Sequence, residues 1–191
     1  MNEEIKTEVE NTVRVLEEGG VIVYPTDTVW GLGCDALNSR AIDRVYKIKK
    51  RAEQKSLIIL VDTFQTLSKY VTRVPDIAID LISSIENPVT VIYDNARNLP
   101  RNTSAPDGTI AIRVVRDEFC LALIKELGKP IISTSANISG EPTPLVYKQI
   151  SQGILDNADY VVKLFHEKFN QGKASTIIRL FENGTYKIIR E

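Results

Sequence analysis

A chain of 191 residues that is 43% hydrophobic can bury one sizeable core but is short for two, so a single domain over 1–191 is expected. Its 24 basic and 25 acidic residues leave a net charge of -1, which excludes a global field for nucleic acid or membrane and makes any basic site local. One histidine and two distant cysteines, Cys34 and Cys120, exclude a histidine triad or a histidine-rich metal cluster and argue against a disulfide framework.

The acidic start MNEEIKTEVENTVRVLEEGG places Ile5, Val9, Val13 and Leu16 at helical spacing before Gly19-Gly20, so a helix over 3–18 is predicted rather than a signal peptide. No apolar run approaches the roughly 20 residues that span a bilayer, and a cytoplasmic protein with no membrane partner is expected. A β-branched run at 21–24, closed by Pro25, reads as a buried strand. Asn38 or Ser39 can cap a helix with Ala41, Ile42, Val45 and Tyr46 on one face.

After the basic run KIKKRAEQK, SLIILV at 56–61 is a second core strand, followed by helices over 63–70 and 75–85. VTVIYD and TIAIRV are strands, with a turn at Asp107-Gly108 before the latter. Asp117 caps EFCLALIKEL, and Gly128 ends it. PIISTSAN is a strand running into a polar loop, and LVYKQIS a helix. YVVKL, STIIRLF and YKIIR are strands, the last two joined by a hairpin at 182–185. The alternation implies an α/β or α+β domain around a mixed sheet, with no repeat and no low-complexity tract.

The stretch VIVYPTDTVWGLGCDA ends in G-x-G-x-x-A at Gly31, Gly33 and Ala36. A dinucleotide fingerprint needs its first glycine directly after the strand, and here six residues, 25–30, intervene. A Walker A loop is absent, since Gly172-Lys173 lacks both the earlier glycine and the following hydroxyl. The glycines read instead as backbone relief that lets the chain turn toward the next helix.

Three other clusters carry chemistry: PTDTVWGLG, Lys49-Lys50-Arg51 with Lys55, and STSANISG with Ser133, Thr134, Ser135 and Asn137; Ser175-Thr176 repeats the hydroxyls later. Fixed cations and short donors suit an anionic, phosphate-bearing ligand. Residues two apart diverge by about 200° on a helix and share a side on an extended segment. For Lys49 and Arg51 to converge, the helix must end near Lys49; the same spacing puts Ser135 and Asn137 on one face of an extended strand exit. Plainer readings stand beside these: a basic run complementing a helix dipole, a self-capped turn at STSAN, and Tyr24 and Trp30 in the core. Arg113, inside an apolar strand, requires an anionic partner.

PTDTVWGLGCDA, the K-x-R triplet at 49–51, TIAIRV, the S-x-N triplet within STSANISGEPT and the late ASTII together resemble the YrdC family of threonylcarbamoyl-AMP synthases, in the same order over nearly the whole chain. The resemblance implies a twisted α/β sheet with flanking helices and a basic concave cavity. It implies that L-threonine, bicarbonate or carbon dioxide, and ATP with Mg2+ are joined into threonylcarbamoyl-adenylate, releasing pyrophosphate. The adenylate then passes to a partner transferase for t6A modification of tRNA, which the protein itself could also touch.

By the same resemblance Thr28 and Ser175 hold threonine, with Arg113 and Thr134 beside them. Lys49, Arg51, Ser135 and Asn137 face ATP and the reacting phosphate, and Arg179 the nucleotide edge. Lys49→Ala and Ser135→Ala are expected to abolish activity and leave folding intact. The chain departs from the family at Ala52, Ser56 and Glu86-Asn87-Pro88, changes of loop stiffness more than of chemistry; a paralogous branch lacks the K-x-R and S-x-N triplets kept here. The competing functions are an RNA-binding module using the same basic concavity, and a nucleotide-binding paralogue with another substrate.

Overall fold

The computed structural model describes residues 2–50, 57–167 and 174–191. Helix α1, Glu3–Glu17, begins where the Asn2 side chain accepts the Glu4 N–H at 2.7 Å, and Glu3 and Glu4 complement its positive end. It stops at Gly19, whose φ of 80° is open to glycine at no steric cost. Helix α2, Ser39–Lys49, is capped by Asn38 and ends as Lys50 turns left-handed at φ 49°. The helix thus stops where convergence of the K-x-R pair required it to. The longest later helix, Glu118–Leu127, runs from its Asp117 cap to Gly128.

The strands, β1 to β9 in chain order, are Ile22–Tyr24, Gly31–Gly33, Ile58–Val61, Val89–Tyr93, Ile110–Val114, Ile131–Ser135, Tyr160–Val161, Thr176–Leu180 and Tyr186–Arg190. They form one mixed sheet in the order β7-β1-β2-β6-β3-β5-β4-β8-β9. Strand alternation sends Ile22, Tyr24, Leu60 and Ile131 to one face, against Val9 and Leu16 of α1 and Phe119 and Leu123 of the Glu118–Leu127 helix. Val23, Ile59, Val61 and Ile132 go to the other, with Ile42 and Val45 of α2. Both faces are covered, which explains the near-continuous apolar runs of the central strands.

Three expectations change. The helix placed at 63–70 is a single turn, Phe64–Leu67, because Val71 forms a bridge with Ala96 and Thr72 donates to the Asn95 carbonyl. LVYKQIS makes one 3-10 turn, Tyr147–Gln149, where the Gln149 side chain takes the Leu145 N–H; a short α-helix, Gln152–Leu155, follows. The segment 75–85 is helical over Ile77–Ser83.

The fourth change is the largest. Gly31 and Gly33 are not turn residues: with Leu32 they form β2, between β1 and β6. Neither has a left-handed φ; their lack of a side chain serves close approach. The Tyr24 ring lies across β2 and donates its hydroxyl to the Ile132 carbonyl of β6 at 3.2 Å. A Cβ on Gly33 would stand 2.2 Å from that carbonyl oxygen and 2.8 Å from the ring; one on Gly31 would stand 3.0 Å from the ring.

Gly33→Ala is therefore expected to destabilise the fold by about 1–3 kcal/mol, the usual range for overpacking. Gly153→Ala, where nothing lies within 4 Å of the added atom, should be neutral or slightly stabilising. Thermal melts of the two variants side by side check this.

Candidate active site

A cavity of about 270 Å³ opens where the β1–β2 loop, β6, β5, β8 and the end of β9 meet. Sheet register makes the meeting place: Tyr24 pairs with Gly31 and Gly31 with Ser135, so the loop leaving β1 lies beside the end of β6. Hydroxyls dominate its polar lining, from Thr26 and Thr28 on one side, Ser133, Thr134 and Ser135 on β6, and Ser175 opposite; among the described residues no carboxylate lines it.

The loop is wired by its own hydroxyls. Thr26 donates to the Val29 carbonyl at 2.7 Å and accepts the Thr28 N–H at 3.1 Å. With its proton committed, Thr26 accepts the Thr28 hydroxyl at 3.0 Å. Thr28 in turn accepts Nη1 of Arg113 at 3.1 Å. Its remaining lone pair is what it can offer a ligand.

Arg113, on β5, is only 4% exposed and lines the cavity. Its anionic partner is Asp27, with Oδ1 3.2 Å from Nη2. Nη1 spends one N–H on Thr28, the Nη2 contact with Asp27 is an ion pair without a hydrogen bond, Nε has no partner, and so four of the five guanidinium donors are unassigned. A nearly buried cation with donors to spare is built to receive an anion. Ser175 shares a 2.8 Å hydrogen bond with Thr90, and its carbonyl accepts Nε and Nη2 of Arg190 at 3.2 and 2.8 Å.

Arg190 is a cavity residue that sequence reasoning missed. The β8–β9 ladder pairs Ile177 with Arg190 and Ile178 with Ile188, so Ile189 is an extra residue, and the bulge disrupts simple alternation. No sequence pattern announces that bulge. Partial burial, and then the nearby positive charge of Arg113, lower the Arg190 pKa. Two guanidiniums thus repel each other across a cavity that lacks a carboxylate lining.

The other candidates are placed less uniformly. Thr28, Arg113, Thr134, Ser135 and Ser175 come together. Arg51 lies outside the described residues. Lys49 is 2% exposed and does not line the cavity: its ammonium donates to the Ser135 carbonyl at 2.6 Å and the Asn137 carbonyl at 2.7 Å. That clamp bends the strand exit. The Asn137 N–H closes onto the Ser135 carbonyl at 2.9 Å, a three-residue turn at Ala136, so Asn137 does not share an extended face with Ser135. The Asn137 amide instead donates to the Ile138 and Glu141 carbonyls.

Arg179 is not at the cavity either. Two residues beyond Ile177 on β8, it is ion-paired with Asp94, donates to the Ile92 carbonyl at 3.2 Å and lies over the Phe181 ring. Below the loop, Asp117 caps its helix. Burial first, and then the charge of Asp27, raise its pKa against the opposing Cys120 N–H. Burial likewise pushes the Cys120 thiol well up.

The family model named Sua5/YciO/YrdC, described as "Telomere recombination", matches residues 14–191. The chain belongs to this family. A relative from Pseudoalteromonas translucida named threonylcarbamoyl-AMP synthase is 38% identical over 153 residues, 78% of this chain and 82% of its own. The solved structure of P. abyssi Sua5 complexed with L-threonine superposes with a TM-score of 0.83 at 28% identity, over 90% of this chain and half of that longer one. E. coli YciO has the same fold, with a TM-score of 0.83 at 27% identity, over 96% of this chain and 88% of its own. The mixed α/β sheet with flanking helices is thus the fold of Sua5 and YciO.

Two expectations follow. Lys49→Ala should lower stability, since it takes the ammonium from the Asn137 carbonyl at about 1–3 kcal/mol if that group stays dry, while the Ser135 carbonyl keeps the Asn137 N–H, contrary to the intact folding first expected; Ser135→Ala should melt near the wild type. Asp117→Asn should gain stability over the wild type as pH rises. A raised folded-state pKa stabilises fully below the unfolded value near 4 and loses that contribution as pH climbs through the folded one. Denaturant titrations from pH 4 to 8 measure the divergence.

Proposed function

We propose that this protein is an L-threonylcarbamoyladenylate synthase, a nucleotidyltransferase that joins L-threonine, bicarbonate or carbon dioxide, and ATP, and releases pyrophosphate. The observation that carries the reading is Arg113, a buried guanidinium with four unassigned donors beside Thr28. The structure of P. abyssi Sua5 complexed with L-threonine and the synthase names of the relatives point the same way.

In this reading Arg113 binds the threonine carboxylate, with Thr28, Thr134 and Ser175 orienting the amino acid. The cavity volume, at the low end of the roughly 300–1,000 Å³ of small-ligand pockets, suits an amino acid and its immediate reacting group. The carbamate of threonine attacks the α-phosphorus of ATP through an oxygen that is already anionic. No histidine base is required, and the chemistry rests on alignment and charge neutralisation. Ser135 orients the phosphate side, Lys49 fixes the turn that presents it, and Arg190 adds a second cation. Arg51 and Asn137 are assigned to the nucleotide by resemblance.

Among the described residues no group of three or more His, Cys, Asp or Glu comes together to hold a metal. Magnesium enters in this reading as part of the nucleotide substrate, and no step is assigned to a protein-held ion. The labile adenylate goes to a transferase that completes t6A on tRNA, in the cytoplasm. No helix of the described residues is long and apolar enough to cross a membrane. RNA binding is the weaker reading, because a 270 Å³ enclosure with a net charge of -1 around it is not a track for a phosphate backbone.

The test is conversion of ATP to AMP and pyrophosphate with magnesium present. Turnover should require both threonine and bicarbonate, and Arg113→Ala should raise the threonine KM by tenfold or more. Turnover independent of threonine, or none from folded protein, overturns the proposal.

A further inference from the structure

The PTDT loop holds one carboxylate, Asp27, to which neither the motif nor the reaction gives a task. Its side chain is 12% exposed, it is absent from the cavity wall, and Oδ1 lies 3.2 Å from Nη2 of Arg113. Arg113 is held at two points, Nη2 by the charge of Asp27 and Nη1 by a hydrogen bond to Thr28, consecutive residues of one loop. A guanidinium held at one nitrogen can still swing about that contact; held at both terminal nitrogens it has one orientation. Among the described residues Asp27 is the carboxylate within ion-pair distance of the guanidinium. Below the loop, Asp117 accepts the Cys120 N–H through Oδ1 and leaves Oδ2 buried without a partner, and the Cys120 thiol lies 3.6 Å from the Pro25 carbonyl. Tyr24 spends its hydroxyl proton on Ile132.

We propose that Asp27 is a positioning residue for amino-acid binding: it fixes the Arg113 guanidinium, through the Nη2 contact, in the orientation that receives the substrate carboxylate. The proposal rests on the function above. Asp27 itself touches no substrate. The contact is an ion pair with no hydrogen bond in it, so Asp27 acts through its charge, and an asparagine, which keeps the shape and loses the charge, should not replace it.

The experiment compares wild type, Asp27→Ala, Asp27→Asn, Arg113→Ala and the double alanine variant by threonine titration calorimetry and by steady-state turnover. Asp27→Ala should weaken threonine binding and raise its KM at least tenfold, with the ATP KM and kcat within about threefold of wild type. Asp27→Asn should show the same threonine-selective loss. In the Arg113→Ala background, removing Asp27 should add no further loss, as expected when one residue acts through the other. If Asp27→Ala does not fold, Asp27→Ser, which keeps a polar side chain but removes the charge, is read the same way.

Threonine affinity unchanged in Asp27→Ala, equal loss for ATP and threonine, or additive losses in the double variant overturns the positioning role and leaves the synthase reading standing. A wild type that binds no threonine in the calorimeter overturns both.

Discussion

The passage of the Tyr24 ring over two glycines is the contact on which the site depends. β2 consists of Gly31, Leu32 and Gly33, and only its missing side chains let the Tyr24 hydroxyl reach across to Ile132 on β6. The crossing fastens β1 to β6 over the strand between them. Because β1 ends at Tyr24 and β6 ends at Ser135, the polar loops leaving both strands emerge together. A narrow strand in the middle of the sheet thus brings residues more than a hundred positions apart within reach of one ligand.

Around that junction, charge is arranged rather than accumulated. Among the described residues the cavity has no acidic lining, and Asp27, the ion-pair partner of Arg113, does not line it. Arg190 approaches from the edge strand, re-aimed by a bulge, and meets the repulsion of Arg113. Such an arrangement stores unfavourable electrostatics that an anionic ligand relieves, which is how a chain with net charge -1 can still hold a local anion site. Lys49 spends its charge differently, on two backbone carbonyls that shape the turn after Ser135.

Local rules carried far along the chain. Asn38 and Asp117 cap the helices that their positions announced, and Gly19 and Gly128 close the first helix and the one after Asp117. The spacing of Lys49 and Arg51 placed the end of α2, and the buried Arg113 announced an anionic partner. The same rules failed where a distant segment intervened. Gly-Leu-Gly has little intrinsic strand preference and becomes a strand because neighbours on both sides supply its ladder. The helix at Phe64–Leu67 is cut short by a bridge to Ala96, 25 residues beyond Val71.

The sequence by itself determined the fold class, the capped helices, the family and five residues that meet in the cavity, because capping, periodicity and serial motifs are written in neighbouring positions. Tertiary structure alone decided that Gly31 and Gly33 serve close approach, that Lys49 clamps a turn and Arg179 pairs with Asp94, and that Arg190 lines the cavity while Asp27 does not. Each of those outcomes depends on which strands become neighbours, and pairing across a hundred residues leaves no periodic trace in the chain.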